Sequence, residues 1–402
     1  MKQPINWPFA MHCVVGASNA AFDVLLKNSV IVFMAFRGDM DAQDLSRLAS
    51  LAWVLFMAPF FIFSAHGGYL GDHFNKKSLA LGLRYADLAI AACTAYGFYT
   101  SNLPLLLALV FAKGVTSTLY SPIKYSLVSD LLPRPAHGMG YAVVEAASMA
   151  AILCATYLGA MLGANPDRRM IGLVALLIVG MSFLLTVASP GFANASATRT
   201  KLGINPIQPT LRILRLATRD RRVSASILAL SWYWALGAVF LSNVPVLVRY
   251  TLHGDESQIA SILLIFTLGV GLGLGGGSWL NQGRMARRLP DAMAALITAM
   301  GIDLQFSIPM APNRMLLDFF LIALASGIYA SYFSSALYQA ANESEKSRIF
   351  AANNIASSLF IVLALAVSTL VLRFEVPIAA CLGLFAAATL PITFIARAIF
   401  GK

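Results

Sequence analysis

Ionisable side chains interrupt several of the apolar stretches of this sequence. In the first stretch Asp23 and Lys27 are four residues apart, a spacing that places both on one helix face, where their charges can neutralise each other. Lys124 and Glu145 stand about ten residues on either side of a proline-containing turn, so two antiparallel helices would carry them at similar depth as an ion pair. Because a charge at mid-membrane costs at least about 2.5 to 3.5 kcal/mol, we predict that Asp23, Lys124 and Glu145 have a functional role and do not merely pin helices together.

Three further charged residues lie in the third and fourth apolar stretches. Lys113 is three helical turns from Lys124 on the same stripe of one helix, and its position leaves a binding role and a structural role both open. Arg84 and Asp87 are three residues apart, which favours a local ion pair that pins helices together. We therefore predict a structural role for Arg84 and Asp87.

The composition of the whole chain excludes a soluble globular protein. Of 402 residues, 58% are apolar and 12% are charged, and the mean hydropathy is +0.74. Charged residues make up about a quarter of a soluble domain, and disorder requires low hydrophobicity with dense charge. Because the apolar stretches reach about 20 residues or more, enough to cross a hydrocarbon layer of about 30 Å, we predict a membrane protein with many spans.

The apolar stretches predict an all-α membrane protein with twelve transmembrane helices. A polar, basic segment divides the helices into two sets of six. We therefore predict an N-terminal six-helix bundle over residues 1–190, a basic linker over 191–222 and a C-terminal six-helix bundle over 223–402. The predicted spans cover residues 8–36, 47–70, 78–99, 103–132, 138–163, 170–189, 223–250, 257–280, 290–309, 314–341, 348–373 and 377–398.

Lysine and arginine residues outside the predicted spans are concentrated on one side of the membrane. With an even number of spans, that side carries both termini and the linker, so the positive-inside rule places all three in the cytoplasm. Leucines and arginines alternate over residues 211–219, as in a short helix lying on an anionic leaflet. A tether whose charges only fix the topology explains the same pattern, and the sequence leaves both interpretations open.

A short loop motif follows the second span and recurs in weaker form after the eighth. Both copies contain a glycine, a polar residue four positions later and then a basic cluster. Such a glycine lets two helix ends approach closely, the acidic residue can cap a neighbouring helix, and the basic residues can meet carboxylates across the loop. The motif resembles the cytoplasmic loop of the major facilitator superfamily, which implies two bundles that give alternating access to a central site. The predicted gating residues are Gly68, Asp72, Lys76 and Lys77, and the second copy contains Gly277, Asn281, Arg284, Arg287 and Arg288.

The second half of the chain carries almost no charge in the middle of its spans. Asp303 and Asp318 are the nearest exceptions, and its polar groups are mainly amides and aromatic side chains. A cavity between two such halves would have one charged wall and one largely apolar wall. This pattern suits a molecule with an ionic head and a hydrocarbon tail better than a sugar. Ordinary packing or lipid-facing surface explains the apolar wall equally well.

Segments in both halves resemble one branch of that superfamily, the bacterial lysophospholipid transporters. The most specific segments are Ser-Pro-Ile-Lys-Tyr over residues 121–125 and Ala-Ala-Asn-Asn over 351–354. The resemblance implies a flippase that brings lysophosphatidylethanolamine from the outer to the inner leaflet of a bacterial inner membrane, where it is re-acylated. It implies a separate acyltransferase/acyl carrier protein ligase as a functional partner. We expect a monomer that needs no cofactor and binds no nucleic acid.

Carried over residue by residue, the resemblance implies a substrate site in which Lys124 meets the phosphate and Asp23 or Glu145 meets the amine. The implied site consists of Asp23, Lys27, Asn28, Ser121, Lys124, Tyr125, Glu145, Asn353 and Asn354.

The chain departs from this family at three positions, which leaves the head-group preference open. Val24 replaces an expected asparagine, Ser126 replaces a glycine, and Leu241 stands near the position of an arginine in some members. The alternative function is a proton-coupled carrier of a drug or small amphiphilic metabolite, with Asp23 or Glu145 as the proton site. A lipid enzyme is disfavoured because the sequence has no Gly-x-Ser-x-Gly nucleophile elbow.

Overall fold

The computed structural model describes most of the chain, and the residues that it describes are almost all helical. The described residues are 6–36, 40–133, 137–165, 167–189, 211, 214–215, 217–281, 288–310, 312–340 and 346–400.

Within these residues all twelve predicted spans are helices, which confirms the predicted fold class. Each helix contains a stretch long and apolar enough to cross a membrane. The helices are α1 (Trp7–Ala35), α2 (Ala42–His73), α3 (Lys76–Tyr99), α4 (Leu103–Leu131), α5 (His137–Ala164), α6 (Arg169–Ala188), α7 (Arg221–Val246), α8 (Glu256–Leu280), α9 (Leu289–Met310), α10 (Pro312–Ala340), α11 (Lys346–Arg373) and α12 (Ile378–Phe400).

Two helix ends differ from the prediction for identifiable reasons. Helix α2 begins before the predicted residue 47, because Oδ1 of Asp41 accepts a hydrogen bond from the backbone N–H of Asp44 (2.7 Å) and so starts a polar first turn. Helix α7 continues as a π-helical turn, Leu247–Thr251, which begins two residues after Pro245. Proline lacks an N–H and disturbs the helical hydrogen bonds around it. Hydropathy alone shows neither feature.

The chain forms two compact units. The first unit contains Met1–Phe33 and Ile62–Pro206, and the second contains Met34–Phe61 and Ile207–Lys402. Residues Met34–Phe61 therefore pack within the second unit, where Oγ1 of Thr369 donates a hydrogen bond to Oγ of Ser50 (3.1 Å). The domain boundaries that the sequence predicts, at residues 190 and 223, stay a prediction.

Small residues bring helix backbones together in the first unit. Gly163 of α5 lies so close to α1 that a Cβ there would stand 2.6 Å from the carbonyl oxygen of Ser29. One turn earlier on α5, the carbonyl of Gly159 accepts a hydrogen bond from Oγ of Ser29 (3.0 Å). Close contacts of this kind replace the hydrophobic driving force that is missing between helices in lipid. They fix α1, which carries Asp23, against its neighbour.

A glycine stripe joins α8 to α10 in the second unit. Gly269, Gly273 and Gly277 recur every four residues along α8, on one face of the helix. A Cβ at Gly269 would lie 2.8 Å from the Cβ of Ala323, and a Cβ at Gly273 would collide with the backbone carbonyl of Leu324. Backbone atoms cannot move aside as a flexible side chain can, so this stripe requires glycine.

We predict that Gly273→Ala destabilises the protein by about 1 to 3 kcal/mol, because the added methyl overpacks the helix contact. Gly275→Ala is the matched control, since no described atom outside the neighbouring turns of α8 lies within 4 Å of the Cβ position at Gly275. Thermal unfolding of the purified full chain in detergent gives the melting temperature of both variants. A melting temperature for Gly273→Ala equal to that of Gly275→Ala would contradict the packing described here.

Candidate functional site

Four charged side chains from α1, α3 and α4 form a cluster in the first unit. Nζ of Lys113 lies 2.8 Å from Oδ1 of Asp23 and 3.3 Å from Oδ1 of Asp87. The guanidinium of Arg84 lies 3.1 Å from Oδ2 of Asp87. The side chains of Arg84, Asp87 and Lys113 are each 1% exposed, and that of Asp23 is 16% exposed. The cluster therefore balances two positive charges with two negative ones, and Asp23 is its most accessible member.

Neutral polar groups from α1 and α4 complete the hydrogen bonds at the centre of the cluster. Oδ1 of Asn19 accepts from Nη2 of Arg84 (2.9 Å) and from Nζ of Lys113 (3.1 Å). Oγ of Ser117 accepts from Lys113 (2.8 Å) and donates to Oδ1 of Asp23 (2.5 Å). These bonds matter because a buried charge without such partners is strongly destabilising.

Neutral side chains also form hydrogen bonds with Asp87 and Arg84. Oγ1 of Thr116 donates to Oδ1 of Asp87 (2.7 Å), and Nη1 of Arg84 donates to Oγ of Ser182 on α6 (3.4 Å). The guanidinium of Arg84 also lies 4.5 Å from the centre of the Tyr120 ring, a cation–π contact. The cluster thus links α1, α3, α4 and α6 of the first unit.

The structure adds a partner to those predicted for these charges. The sequence spacing predicts that Lys27 neutralises Asp23, and Lys27, which is 5% exposed, lies within the electrostatic reach of Asp23. Asp23 also forms an ion pair with Lys113 of α4. Arg84 and Asp87 pair as predicted, yet they belong to the same cluster as Asp23. Periodicity within one helix identifies residues on a common face. It does not show which faces of two helices meet, so it could not identify Lys113 as the partner.

The ion pair predicted between α4 and α5 is present. Nζ of Lys124 lies 2.8 Å from Oε1 of Glu145 and donates to Oγ of Ser148 (3.3 Å). The backbone carbonyl of Lys124 lies 2.8 Å from Nε2 of His12, which fixes α1 beside α4 at this level. The pair therefore sits where three helices of the first unit meet.

The carboxylate of Glu145 is accessible. Its side chain is 48% exposed, against 15% for Lys124. The bounds of α4 and α5 place the pair about 10 to 12 Å from the helix ends, at a rise of 1.5 Å per residue, rather than the roughly 15 Å expected from the turn. Contact with hydrocarbon is costly for an ionised group, so the exposed part of Glu145 requires water or a polar environment.

The remaining predicted site residues have different surroundings. Asn28 of α1 is buried, and Ser121 of α4 is half-buried one turn from Lys124. The side chain of Tyr125 lies outside the described residues. Asn353 and Asn354 lie half-buried on α11 in the second unit, and Oδ1 of Asn353 has no hydrogen-bond partner among the described atoms. Asn353 is therefore the stronger candidate of the two amides for binding a ligand.

Other polar side chains of the second unit already have partners. Nδ2 of Asn243 donates to Oγ of Ser368 (3.2 Å), and Nε1 of Trp232 donates to Oγ1 of Thr389 (2.9 Å). Oδ2 of buried Asp318 accepts from Ser307 (2.5 Å). These groups hold helices of the second unit together.

The basic pair of the loop motif joins three helix ends in the first unit. Nζ of Lys76 donates to Oδ2 of Asp130 (2.6 Å) at the end of α4. Nζ of Lys77 donates to the carbonyl oxygens of Val187 (3.1 Å) and Ser189 at the end of α6, where the helix dipole favours a cation. The prediction that a basic residue meets a carboxylate is thus confirmed for Lys76, whereas Lys77 binds backbone carbonyls.

The two copies of the motif are described to different extents. The surroundings of Gly68 and the side chain of Asp72 lie outside the described residues, as do residues 282–287 in the second copy. Gly277 is described, and a Cβ there would stand 2.8 Å from the Cβ of Ser331. The close helix approach predicted for this glycine is therefore confirmed.

Comparison with known proteins gives a consistent family. The profile of the Major Facilitator Superfamily matches residues 9–365. The Lysophospholipid transporter LplT of Yersinia enterocolitica is 23% identical over 350 residues, which cover 84% of this chain and 80% of that protein.

Solved structures share the fold at lower identity. The human organic anion transporter MFSD10 (TETRAN) has a TM-score of 0.70 and 15% identity, with 97% of this chain and 100% of that chain covered. The E. coli fucose:proton symporter FucP has a TM-score of 0.66 and 16% identity, with 99% of both chains covered. At such identities these structures show the fold alone.

We predict that Arg84→Met destabilises the protein far more than Lys124→Met. Removing Arg84 leaves Asp87 buried with one cation fewer, a loss of about 3 to 5 kcal/mol, whereas a partly exposed pair such as that of Lys124 contributes about 1 kcal/mol or less. Thermal unfolding of both purified variants tests this. Equal losses of stability in the two variants would contradict the structural role of the charged cluster.

Proposed function

The chain belongs to the Major Facilitator Superfamily, and we propose that this membrane transporter moves lysophospholipids from the outer to the inner leaflet of a bacterial inner membrane by alternating access. The proposed head group is of the phosphatidylethanolamine type. The imported lipid would then be re-acylated by a separate acyltransferase/acyl carrier protein ligase.

The ion pair of Lys124 and Glu145 is the observation that carries this proposal. A phosphoethanolamine head group has one anion and one cation, and the pair offers a complementary cation and an accessible carboxylate 2.8 Å apart. The phosphate can bind the ammonium of Lys124, and the amine can bind Glu145 or Asp23. Because the ligand and the pair are each neutral overall, the exchange leaves no charge unpaired.

The relatives support the same chemistry. The matched protein of Yersinia enterocolitica is named a lysophospholipid transporter, and the match covers 84% of this chain. The segments over residues 121–125 and 351–354 resemble that family, and they include Lys124 and Asn353. We therefore propose a lysophospholipid as the substrate of this chain.

Uptake into membrane vesicles that contain the full chain tests the proposed function. We expect labelled lysophosphatidylethanolamine to accumulate in these vesicles and not in vesicles without the protein. The proton gradient is then collapsed to examine the rival function, a proton-coupled carrier of a small amphiphile. Lysolipid uptake that survives this treatment disfavours the rival, whereas the absence of any lysolipid uptake would reject our proposal.

We predict that Lys124→Ala and Glu145→Ala each abolish lysolipid uptake while the protein remains folded in the membrane, because both side chains bind the head group rather than fill a core. Asp44→Ala is the control, since it removes an exposed ion pair with Arg47 (3.3 Å) far from these residues in sequence. Initial uptake rates, normalised to the amount of protein, give the comparison. Full uptake by either site variant would refute the site assignment.

A further inference from the structure

The carboxylate of Asp23 already has three donors. Its Oδ1 lies 2.8 Å from Nζ of Lys113 and accepts from Oγ of Ser117 (2.5 Å), and its Oδ2 accepts from Nδ2 of Asn19 (3.3 Å). The side chain of Asp23 is 16% exposed, so a ligand can reach it, whereas Lys113 is 1% exposed. A cation that arrives from outside therefore meets a carboxylate that an internal cation has already neutralised.

Lys113 carries the same functional group as an ethanolamine head group. Each ends in a primary ammonium on a methylene carbon, with three N–H donors and no acceptor. The two ammonium groups cannot occupy Oδ1 of Asp23 together, because like charges at contact repel strongly where little water is present. An amine of the lipid that binds Asp23 therefore competes with Lys113 for the negative charge of one carboxylate.

Asp87 gives Lys113 a second place to bind. Nζ of Lys113 already lies 3.3 Å from Oδ1 of Asp87, within ion-pair distance. Oδ2 of Asp87 is 3.1 Å from Arg84 but has no hydrogen-bond partner among the described atoms, so this carboxylate can accept a further bond. Lys113 can thus leave Asp23 without becoming an unpaired buried charge, which would be strongly destabilising.

We propose that Lys113 is a specificity-determining residue, a tethered ammonium that competes with the head-group amine for Asp23 and withdraws to Asp87 when the amine binds. The inference rests on the proposed function, in which the amine approaches Asp23. It makes a prediction that a purely structural lysine does not make. Changes at Lys113 and at Asp87 must shift the preference for amine-bearing lipids in opposite directions.

The test compares initial uptake of lysophosphatidylethanolamine with that of lysophosphatidylglycerol of the same acyl chain, which lacks the amine, in vesicles containing the full chain. In Lys113→Met the competitor is gone, so the ethanolamine-to-glycerol ratio should rise about fivefold, the size expected for one partly exposed ion pair. In Asp87→Asn the alternative acceptor is lost, Lys113 stays on Asp23, and the ratio should fall by a similar factor. The change should appear in the apparent KM for the ethanolamine lipid.

The double variant Lys113→Met/Asp87→Asn controls for misfolding of the single variants. This double variant leaves Arg84 to balance Asp23, so the cluster stays neutral, and its ratio should rise as in Lys113→Met. If both lipids are transported and the three variants keep the wild-type ratio, the competitor role is wrong while the proposed function stands. If the wild type transports neither lipid, the proposed function fails and this inference fails with it.

Discussion

The structure depends on one constraint, which is that an ionisable side chain in a hydrocarbon layer must be paired or in contact with water. The first unit meets this constraint in two different ways. Arg84, Asp87 and Lys113 are each 1% exposed, and Asp87 forms ion pairs with both cations. Lys124 and Glu145 are paired as well, but nearly half of the carboxylate side chain is open. The sealed charges link the helices, and the more exposed pair is the one that we propose binds a ligand.

Asp23 connects these two arrangements. It belongs to the buried cluster through Lys113, yet it is accessible enough for a ligand to reach. A buried ion pair adds little net stability compared with apolar packing, so four charges are a poor way to hold helices together if packing is their only role. The exposure of one member agrees with the proposed role of Asp23 in binding a charged ligand.

Hydropathy and charge were sufficient to predict the fold, because a span of about 20 apolar residues has few other interpretations. The start of α2 needed a capping argument at Asp41, and the π-helical turn after Pro245 needed the structure. The pair of Lys124 and Glu145 was predictable because few residues separate two consecutive antiparallel helices, which sets the depth of residues on both. The pairing of Asp23 with Lys113 was not, since it depends on the rotation of α1 against α4. Asn353 and Asn354 were predicted as site residues only from the resemblance to a known family.

The most direct test of this account is the accessibility of position 145 to water. In a variant without the four native cysteines, Glu145→Cys is treated with a charged, membrane-impermeant thiol reagent on vesicles opened to both sides. Leu177→Cys is the control, because Leu177 is an apolar residue of α6 that is 63% exposed and should face lipid. The account predicts rapid labelling at position 145, slowed by lysophosphatidylethanolamine, and little labelling at position 177. Labelling at 145 as slow as at 177 would contradict it.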